Sequence, residues 1–194
     1  MIRWPSFPFI FGRRRPNSGE CQPEEDKALQ GDLMVNSMTV ADLDQVGIIE
    51  RSSFPTPWSK RSFMSELTQN IYAEYIVARR RGKVVGYAGM WVVLDEGHVT
   101  NIAVHPTFRG QGIGDRLLRE LTNRAIQRGA TRMTLEVRPT NLVAQTLYAR
   151  HGFVQRGVRR GYYSDTREDA LIMWRDELTE EPLSGLVSTM GKNP

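Results

Sequence analysis

The chain has 194 residues and a formal net charge of +4, a length that fits one globular domain with short tails. Its composition is typical of a soluble domain, and no apolar run approaches the roughly 20 residues that span a bilayer. Cys21 is the only cysteine, and His98, His105 and His151 lack the spacing of metal ligands. We therefore expect no disulfide framework, no metal site and no transmembrane segment.

Positive charge is concentrated in the body of the chain, because residues 17–35 and 176–194 are rich in acidic side chains. A basic body suits an anionic ligand, and RNA or a phosphorylated cofactor would both fit this charge. The charge alone does not distinguish these ligands from a solvated arginine-rich surface.

The two ends of the chain lack the hydrophobic periodicity that predicts a folded domain in its body. We predict a disordered leader over residues 1–35, a folded domain over 36–178 and a short polar tail over 179–194. Four prolines interrupt the leader, and its acidic run has no helical periodicity. An upstream start codon, with the domain beginning near Met34 or Met38, is the alternative. The aromatic stretch from Trp4 to Phe11 could contact a membrane surface or a partner, but it is too short and proline-broken for a signal peptide.

Hydrophobic periodicity and turn residues predict the elements of the body in chain order. The first are a strand over 35–40, a helix that is capped by Thr39, carries Asp42 in its first turn and continues to about Ser52, a proline-rigidified loop over 54–58, a helix from Ser59, and strands over 74–80, 83–93 and 97–105. The remainder are a helix over 112–128, a strand over 131–138, a helix over 141–150, and strands over 153–159 and 170–175. This order predicts an α/β fold, with a mixed sheet and helices on its faces.

The most informative segment is the turn between the strand that ends near Val104 and the following long helix. It contains Gly110, Gly112 and Gly114, and the helix begins within it. Unpaired N–H groups at a helix start bind phosphate, glycines let the backbone approach an anion, and Arg109 adds a positive charge. The spacing is neither that of a Walker A loop nor that of a dinucleotide-binding turn. By itself, this segment could also be a tight turn without a ligand.

Together with this turn, other motifs along the chain resemble the sequence signature of a known protein family. Arg109-x-x-Gly112-x-Gly114 after Asn101-Ile-Ala-Val-His-Pro106, with Leu135-Glu-Val-Arg138, Asn141 and Leu147-Tyr148-x-x-x-Gly152-Phe153, resembles the acetyl-coenzyme A signature of the GNAT superfamily of N-acetyltransferases. Features at both ends of the body resemble the ribosomal-protein alanine N-acetyltransferases. They are Asp42-Leu-Asp44, Glu50, Phe54 with Pro57-Trp58-Ser59, Arg159-Arg-Gly-Tyr-Tyr163 and Glu168-Asp-Ala-Leu-Ile-Met173. The resemblance covers about residues 38 to 175.

The resemblance implies a GNAT-like fold, with a mostly antiparallel central sheet flanked by helices on both faces. It implies acetyl-coenzyme A as the acetyl donor. The residues implied to bind the coenzyme are Ile102, Ala103 and Val104 through their backbone, Arg109, Gly110, Gln111, Gly112, Ile113 and Gly114 at the pyrophosphate, and Asn141 at the pantetheine arm. Asn141 also suits a helix cap, and the two roles are compatible.

Acetyl transfer to an amine needs a base for the ammonium and an acid for the departing thiolate. Glu136 is the candidate base, because it lies in the middle of a largely apolar strand and matches the family's base; a structural salt bridge to an arginine such as Arg138 is the alternative. Tyr148 is the candidate acid, although a core tyrosine would look the same. No cysteine lies in the body, so direct attack in a ternary complex is the simplest mechanism.

The acceptor implied by the resemblance is a protein N-terminus, that of a small-subunit ribosomal protein with an N-terminal alanine, in the cytoplasm. Phe54, Trp58, Tyr162 and Tyr163 could wall the slot for it, although Phe54 and Trp58 could also simply cover the edge of the core. We expect no direct nucleic-acid binding. A small-molecule amine acetyltransferase and a non-catalytic acyl-coenzyme A-binding module are the alternative functions.

Overall fold

The computed structural model describes residues 33–179, so the predicted leader up to residue 32 and the predicted tail from residue 180 lie outside the described residues. The strands in this part are β1 (Leu33–Ser37), β2 (Ala73–Arg80), β3 (Lys83–Val93), β4 (Glu96–Val104), β5 (Arg132–Val137), β6 (Val154–Tyr163) and β7 (Glu168–Arg175). The α-helices are α1 (Leu43–Ser53), α2 (Lys60–Gln69), α3 (Ile113–Gln127) and α4 (Leu142–Arg150). This order confirms the predicted succession of elements.

The strands form one sheet in the order β1-β2-β3-β4-β5-β7-β6. Strands β4 and β5 are parallel, and the other neighbours pair antiparallel. The parallel pair follows from the α3 crossover, because a chain that leaves one strand through a helix returns in the same direction. The predicted mixed, mostly antiparallel sheet is confirmed.

Both faces of the sheet are covered by helices, because the central strands alternate apolar side chains between two cores. On β2, Ile76 points into the core beneath α3, where Leu117 packs, whereas Val77 belongs to the core beneath α1 and α2. All three side chains are fully buried. The helices therefore pack on both faces of the sheet.

Two predicted boundaries need correction. Strand β1 runs over Leu33–Ser37 rather than 35–40, so Leu33, Met34 and Val35 belong to the sheet and not to the leader. The strand cannot reach residue 40 because Val40–Asp42 form a one-turn 3-10 helix, in which the Asp42 carboxylate accepts the Thr39 N–H at 2.9 Å. Strand β6 continues past residue 159 to Tyr163, through an irregularity in its pairing with β7 that contains Gly161.

The sheet opens between its two parallel strands. Pairing of β4 with β5 covers only Glu96–His98 against Arg132–Thr134, and beyond it the two strands separate. On its other side, β4 carries a bulge: Gly89 pairs with Asn101 and Met90 with Val99, which leaves Thr100 as the extra residue. The opening therefore exposes an unpaired length of β4 in the middle of the molecule. Within the described residues, no helix has both the length and the hydrophobicity needed to cross a bilayer.

Candidate active site

The glycine-rich turn has the backbone geometry that anion binding requires. Gly110 and Gly112 adopt the left-handed region, at φ +77° and +74°, and Gly112 is the N-cap of the 15-residue helix α3. Among residues 33–179, no atom lies within 4 Å of a Cβ added at either glycine, so these residues leave the space above the turn open. The first N–H groups of a helix have no partner within the helix, and here they face this open surface together with the positive end of the dipole.

The polar side chains of the turn hold it in place rather than extend into the open space. Arg109 donates from Nε to the Val104 carbonyl at 3.0 Å and from Nη2 to Ser53 Oγ at 3.1 Å. Burial lowers the pKa of Arg109. Gln111 Oε1 accepts from Arg80 Nη1 at 2.5 Å. The positive charge predicted beside the turn is present, but the Arg109 side chain ties the turn to the end of β4 and to α1.

The opening between β4 and β5 forms a narrow cleft, which we call the central cleft. Its lining residues come from β4, β5, α4, the end of β6 and the segments that follow α1 and β5. They are Phe54, Val99, Thr100, Asn101, Ile102, Leu135, Glu136, Val137, Arg138, Asn141, Tyr148 and Tyr163. The structure thus brings together Ile102, Asn141, Glu136 and Tyr148, four residues predicted to act on the coenzyme or in the chemistry.

Glu136 lies on β5 with its side chain on the face opposite to Leu135 and Val137, as the alternation of the strand predicts. Burial raises the pKa of Glu136, and the guanidinium of Arg159, at 3.3 Å from the carboxylate, partly offsets that effect. The alternative partner named from the sequence, Arg138, instead binds Asp165 and Glu168, at 2.8 and 2.7 Å. Glu136 is therefore a partly buried carboxylate at the cleft with a pKa above its ordinary value.

Tyr148 and Asn141 come from α4, which starts directly above the cleft. Tyr148 is buried, burial raises its pKa, and no hydrogen-bond partner for its hydroxyl occurs within residues 33–179. The Asn141 Oδ1 accepts a hydrogen bond from the Ala144 N–H at 3.1 Å, so the predicted helix cap is present. The Asn141 side-chain nitrogen can still donate hydrogen bonds to a molecule in the cleft. An unengaged phenol in a cleft can donate a proton, which a core tyrosine with a satisfied hydroxyl cannot.

The remaining predicted coenzyme residues lie along the same path. Ala103 and Val104 complete β4, and both side chains are buried in opposite cores, so only their backbone can face a ligand. Ile113 anchors the first turn of α3 in the core, and Gly114 lies in ordinary contact with Leu147, 3.5 Å from its added Cβ. The path from the glycine turn to the central cleft is thus continuous along the backbone of β4.

A buried polar chain leads from α1 to the central cleft, and sequence reasoning missed it. The Glu50 carboxylate accepts hydrogen bonds from the Trp58 backbone N–H at 2.9 Å and from the Tyr87 hydroxyl. Asn101 Nδ2 donates to the Tyr87 hydroxyl at 3.4 Å, and Thr100 donates to Asn101 Oδ1 at 3.1 Å. Burial raises the pKa of Glu50 to about 7. The sequence singled out Glu50 only as part of the family resemblance. The bulge that brings Thr100 into this series of hydrogen bonds could not be predicted from the sequence.

The aromatic residues predicted to wall the acceptor slot divide into two pairs. Phe54 and Tyr163 are buried, at 3% and 2% exposure, and each contributes one edge to the central cleft. The Arg138 guanidinium lies 3.8 Å from the centre of the Tyr163 ring. Trp58 and Tyr162 are instead half-buried and line a second, wider pocket beside the cleft. Within the described residues, this second pair lines the wider of the two spaces.

An anion-binding helix start that leads into a cleft with a carboxylate and a free phenol is the arrangement expected of a coenzyme-dependent group transferase. Within residues 33–179 no group of three or more His, Cys, Asp or Glu side chains could hold a metal ion. The chain belongs to the acetyltransferase (GNAT) family, whose sequence profile matches residues 43–153. It is an N-acetyltransferase of the class that the sequence resemblance predicted.

Individual proteins within this family show higher similarity to the chain. A candidate ribosomal protein bS18-alanine N-acetyltransferase of Bacillus subtilis (strain 168) is 46% identical over 140 residues, which cover 72% of this chain and 93% of that protein. The ribosomal protein bS18-alanine N-acetyltransferase of Escherichia coli (strain K12) is 38% identical over 141 residues, 72% of this chain and 94% of that protein. The crystal structure of the Escherichia coli ribosomal-protein-S18-alanine N-acetyltransferase matches with a TM-score of 0.69 at 34% identity, over 79% of this chain and 99% of that chain.

Proposed function

We propose that this protein transfers the acetyl group of acetyl-coenzyme A to the N-terminal amine of a protein, and that its acceptor is the N-terminal alanine of ribosomal protein bS18. The observation that carries the proposal is the convergence of Glu136 and Tyr148 on one cleft at the end of the β4 path. The acceptor follows from the names of the similar proteins. The matches with this chain cover 93% and 94% of the length of those two relatives. A ribosomal acceptor implies a cytoplasmic enzyme.

The donor would be held mainly by backbone groups. The turn around Gly110 and Gly112 and the N-terminus of α3 suit the pyrophosphate, because open N–H groups and the helix dipole favour an anion there. The unpaired edge of β4 from Ile102 to Val104 suits the amide groups of the pantetheine arm, which can hydrogen-bond to it as an added strand would. The Asn141 amide can bind the same arm from the opposite wall.

The chemistry needs one displacement, the loss of two protons from the acceptor nitrogen and the gain of one proton by the thiolate. Glu136 removes a proton from the acceptor ammonium, directly or through a water molecule, so that the neutral amine can attack the thioester carbonyl. An α-amine has a pKa near 8, and the raised pKa of Glu136 brings the carboxylate closer to that value. The new C–N bond forms, the C–S bond breaks, and Tyr148 donates its proton to the departing thiolate. The second proton of the attacking nitrogen then restores the Tyr148 phenol, and Glu136 releases the first proton to solvent, so that the products are the amide, the free thiol of coenzyme A and one proton.

The test is an acetylation assay with the purified full chain, acetyl-coenzyme A and a peptide that begins with the alanine of bS18. We expect a gain of about 42 Da, one acetyl group, at the peptide N-terminus. A faster reaction with polyamines or amino sugars than with the peptide would assign the enzyme to small-molecule amines instead. Tight binding of acetyl-coenzyme A without turnover on any amine would indicate a binding module.

A further inference from the structure

The second pocket, which we call the side pocket, adjoins the central cleft on its acceptor side. It lies between the loop before α2, helix α2 itself and the β6–β7 hairpin. Its lining residues are Thr56, Pro57, Trp58, Ser59, Ser62, Ser65, Glu66, Trp91, Arg159, Arg160, Gly161, Tyr162, Ser164 and Asp165. Arg159 joins the two spaces, because it lines the side pocket and its guanidinium contacts the Glu136 carboxylate. A chain whose amine reaches Glu136 therefore has the side pocket next to its following residues.

One carboxylate of the side pocket, that of Glu66, has no cationic partner in the part of the chain that the structure describes. Within residues 33–179, no Lys, Arg or His forms an ion pair with Glu66. Its Oε2 accepts hydrogen bonds from Trp91 Nε1 at 2.6 Å and from Asn70 Nδ2 at 3.0 Å. Both donors are neutral, and so is the Tyr75 hydroxyl, which also interacts with Glu66. The carboxylate is therefore oriented, while no cation among residues 33–179 compensates its charge.

The other charged groups of the side pocket already have partners of opposite charge. Arg159 pairs with Glu136, Arg160 pairs with Asp169 at 2.7 Å, and Asp165 shares Arg138 with Glu168. Glu66 is the carboxylate of the side pocket that has no cationic partner among the described residues. The negative charge of Glu66 would attract a cation.

The walls around Glu66 also suit a cation. Trp58, Trp91 and Tyr162 line the side pocket with half-buried rings, and aromatic faces attract guanidinium and ammonium groups. The protein already uses one of these faces in this way, because the Arg159 guanidinium lies 4.9 Å from the centre of the Tyr162 ring. A flexible cationic side chain could pack its stem on the rings and place its charge at Glu66.

We propose that the side pocket binds an arginine or lysine side chain of the acceptor, at one of the positions that follow the acetylated residue, and that Glu66 is the residue that selects it. This inference rests on the proposed function, because it takes the acceptor to be a polypeptide whose amine lies at Glu136. It assigns to the enzyme a preference for basic N-terminal segments.

The experiment measures kcat/KM for alanine-led peptides that are neutral except at position 2, 3 or 4, where each peptide carries either arginine or its uncharged isostere citrulline. In the wild-type enzyme we expect arginine to exceed citrulline about tenfold at one position, as for one charge-assisted hydrogen bond. Glu66→Gln should abolish that preference by lowering kcat/KM for the arginine peptide to that of its citrulline counterpart, and a cooperative urea unfolding transition shows that the variant is folded. Asp44→Asn, which removes the same charge from the exposed Asp44–Lys60 pair, should keep the preference.

Equal kcat/KM for arginine and citrulline at all three positions in the wild-type enzyme would overturn the inference and leave the proposed function intact. A preference for arginine that persists in Glu66→Gln would overturn the role of Glu66. A complete lack of acetylation of every alanine-led peptide would instead contradict the proposed function itself.

Discussion

The donor side and the acceptor side of the central cleft are built in different ways. The donor side consists of backbone: a glycine turn, the start of α3 and an unpaired edge of β4. The acceptor side consists of side chains from distant segments, such as Trp58 before α2, Trp91 on β3 and Tyr162 on β6. A backbone site can bind the same coenzyme with little dependence on surrounding side chains, whereas a side-chain site can change its specificity by substitution. Glu136 and the Glu50 chain lie where the two sides meet.

The largest expected effect is at Glu136, where both sides must act together. Glu136→Gln should lower kcat about 10²-fold because general-base catalysis is lost, while KM for acetyl-coenzyme A stays unchanged. The wild-type kcat should fall as pH decreases through the pKa of Glu136, because the base must be deprotonated, and the variant should lack this dependence. Steady-state kinetics across pH measures both, with Glu120→Gln on α3, paired with Arg124, as a control for charge removal. An unchanged pH–rate profile in Glu136→Gln would reject the role of base.

The next effect is on stability, at the buried carboxylate that links the acceptor loop to the β4 bulge. The folded-state pKa of Glu50 is raised to about 7 from 4.5, so the folded protein keeps a proton that the unfolded chain loses. Its contribution to the free energy of unfolding is therefore most favourable below about pH 4.5 and declines as pH rises through about 7. Between about pH 5 and pH 7 the decline amounts to about 2 kcal/mol.

Glu50→Gln should remove this decline, because glutamine does not titrate and can still accept the hydrogen bond of the Trp58 N–H. Urea unfolding at both pH values checks it, by comparing the change in the free energy of unfolding between the two proteins. Parallel pH dependence in the variant and the wild type would mean that Glu50 does not hold a proton in the folded state.

The third prediction tests the backbone character of the donor side. Gly112→Ala places a Cβ above the open turn at φ +74°, so it should raise KM for acetyl-coenzyme A about tenfold and strain the backbone by about 1 kcal/mol. Gly129→Ala is a matched control, because Gly129 follows the other end of α3 at φ +89° with equally open space. It should show the same loss of stability with an unchanged KM. An equal KM for the two variants would indicate that the turn does not bind the donor.

The difference between the two sides also explains what could be predicted from the sequence. The geometry of the glycine turn and the start of α3 were predictable because Gly110, Gly112 and the periodicity of α3 are local features, which a sequence pattern shows directly. The binding of the donor there stays a prediction. The order of the elements was predictable for the same reason. Asn141 as a helix cap and the orientation of Glu136 on its strand also followed from local position.

The acceptor side was not predictable in the same detail, because its contacts join residues far apart in the chain. The Trp91–Glu66 hydrogen bond spans 25 residues, the Tyr87–Glu50 contact 37 and the Arg159–Glu136 pair 23. No periodicity marks these partners. The opening between β4 and β5 and the bulge at Thr100 depend on strand register, which the apolar pattern of two buried strands does not specify.

The smallest expected effect concerns the one ion pair that bridges the central cleft and the side pocket. The Arg159 guanidinium favours the charged form of Glu136 and so lowers the pKa of that carboxylate. Because the pair is partly exposed, Arg159→Gln should raise the pKa of Glu136 only slightly, and the acid limb of the kcat–pH profile should move to higher pH. Arg156→Gln on the same strand, where Arg156 pairs with Asp176, is the matched control and should leave the limb in place. A limb that moves equally in both variants would show that the general charge of β6, and not the contact with Glu136, sets the pKa of the base.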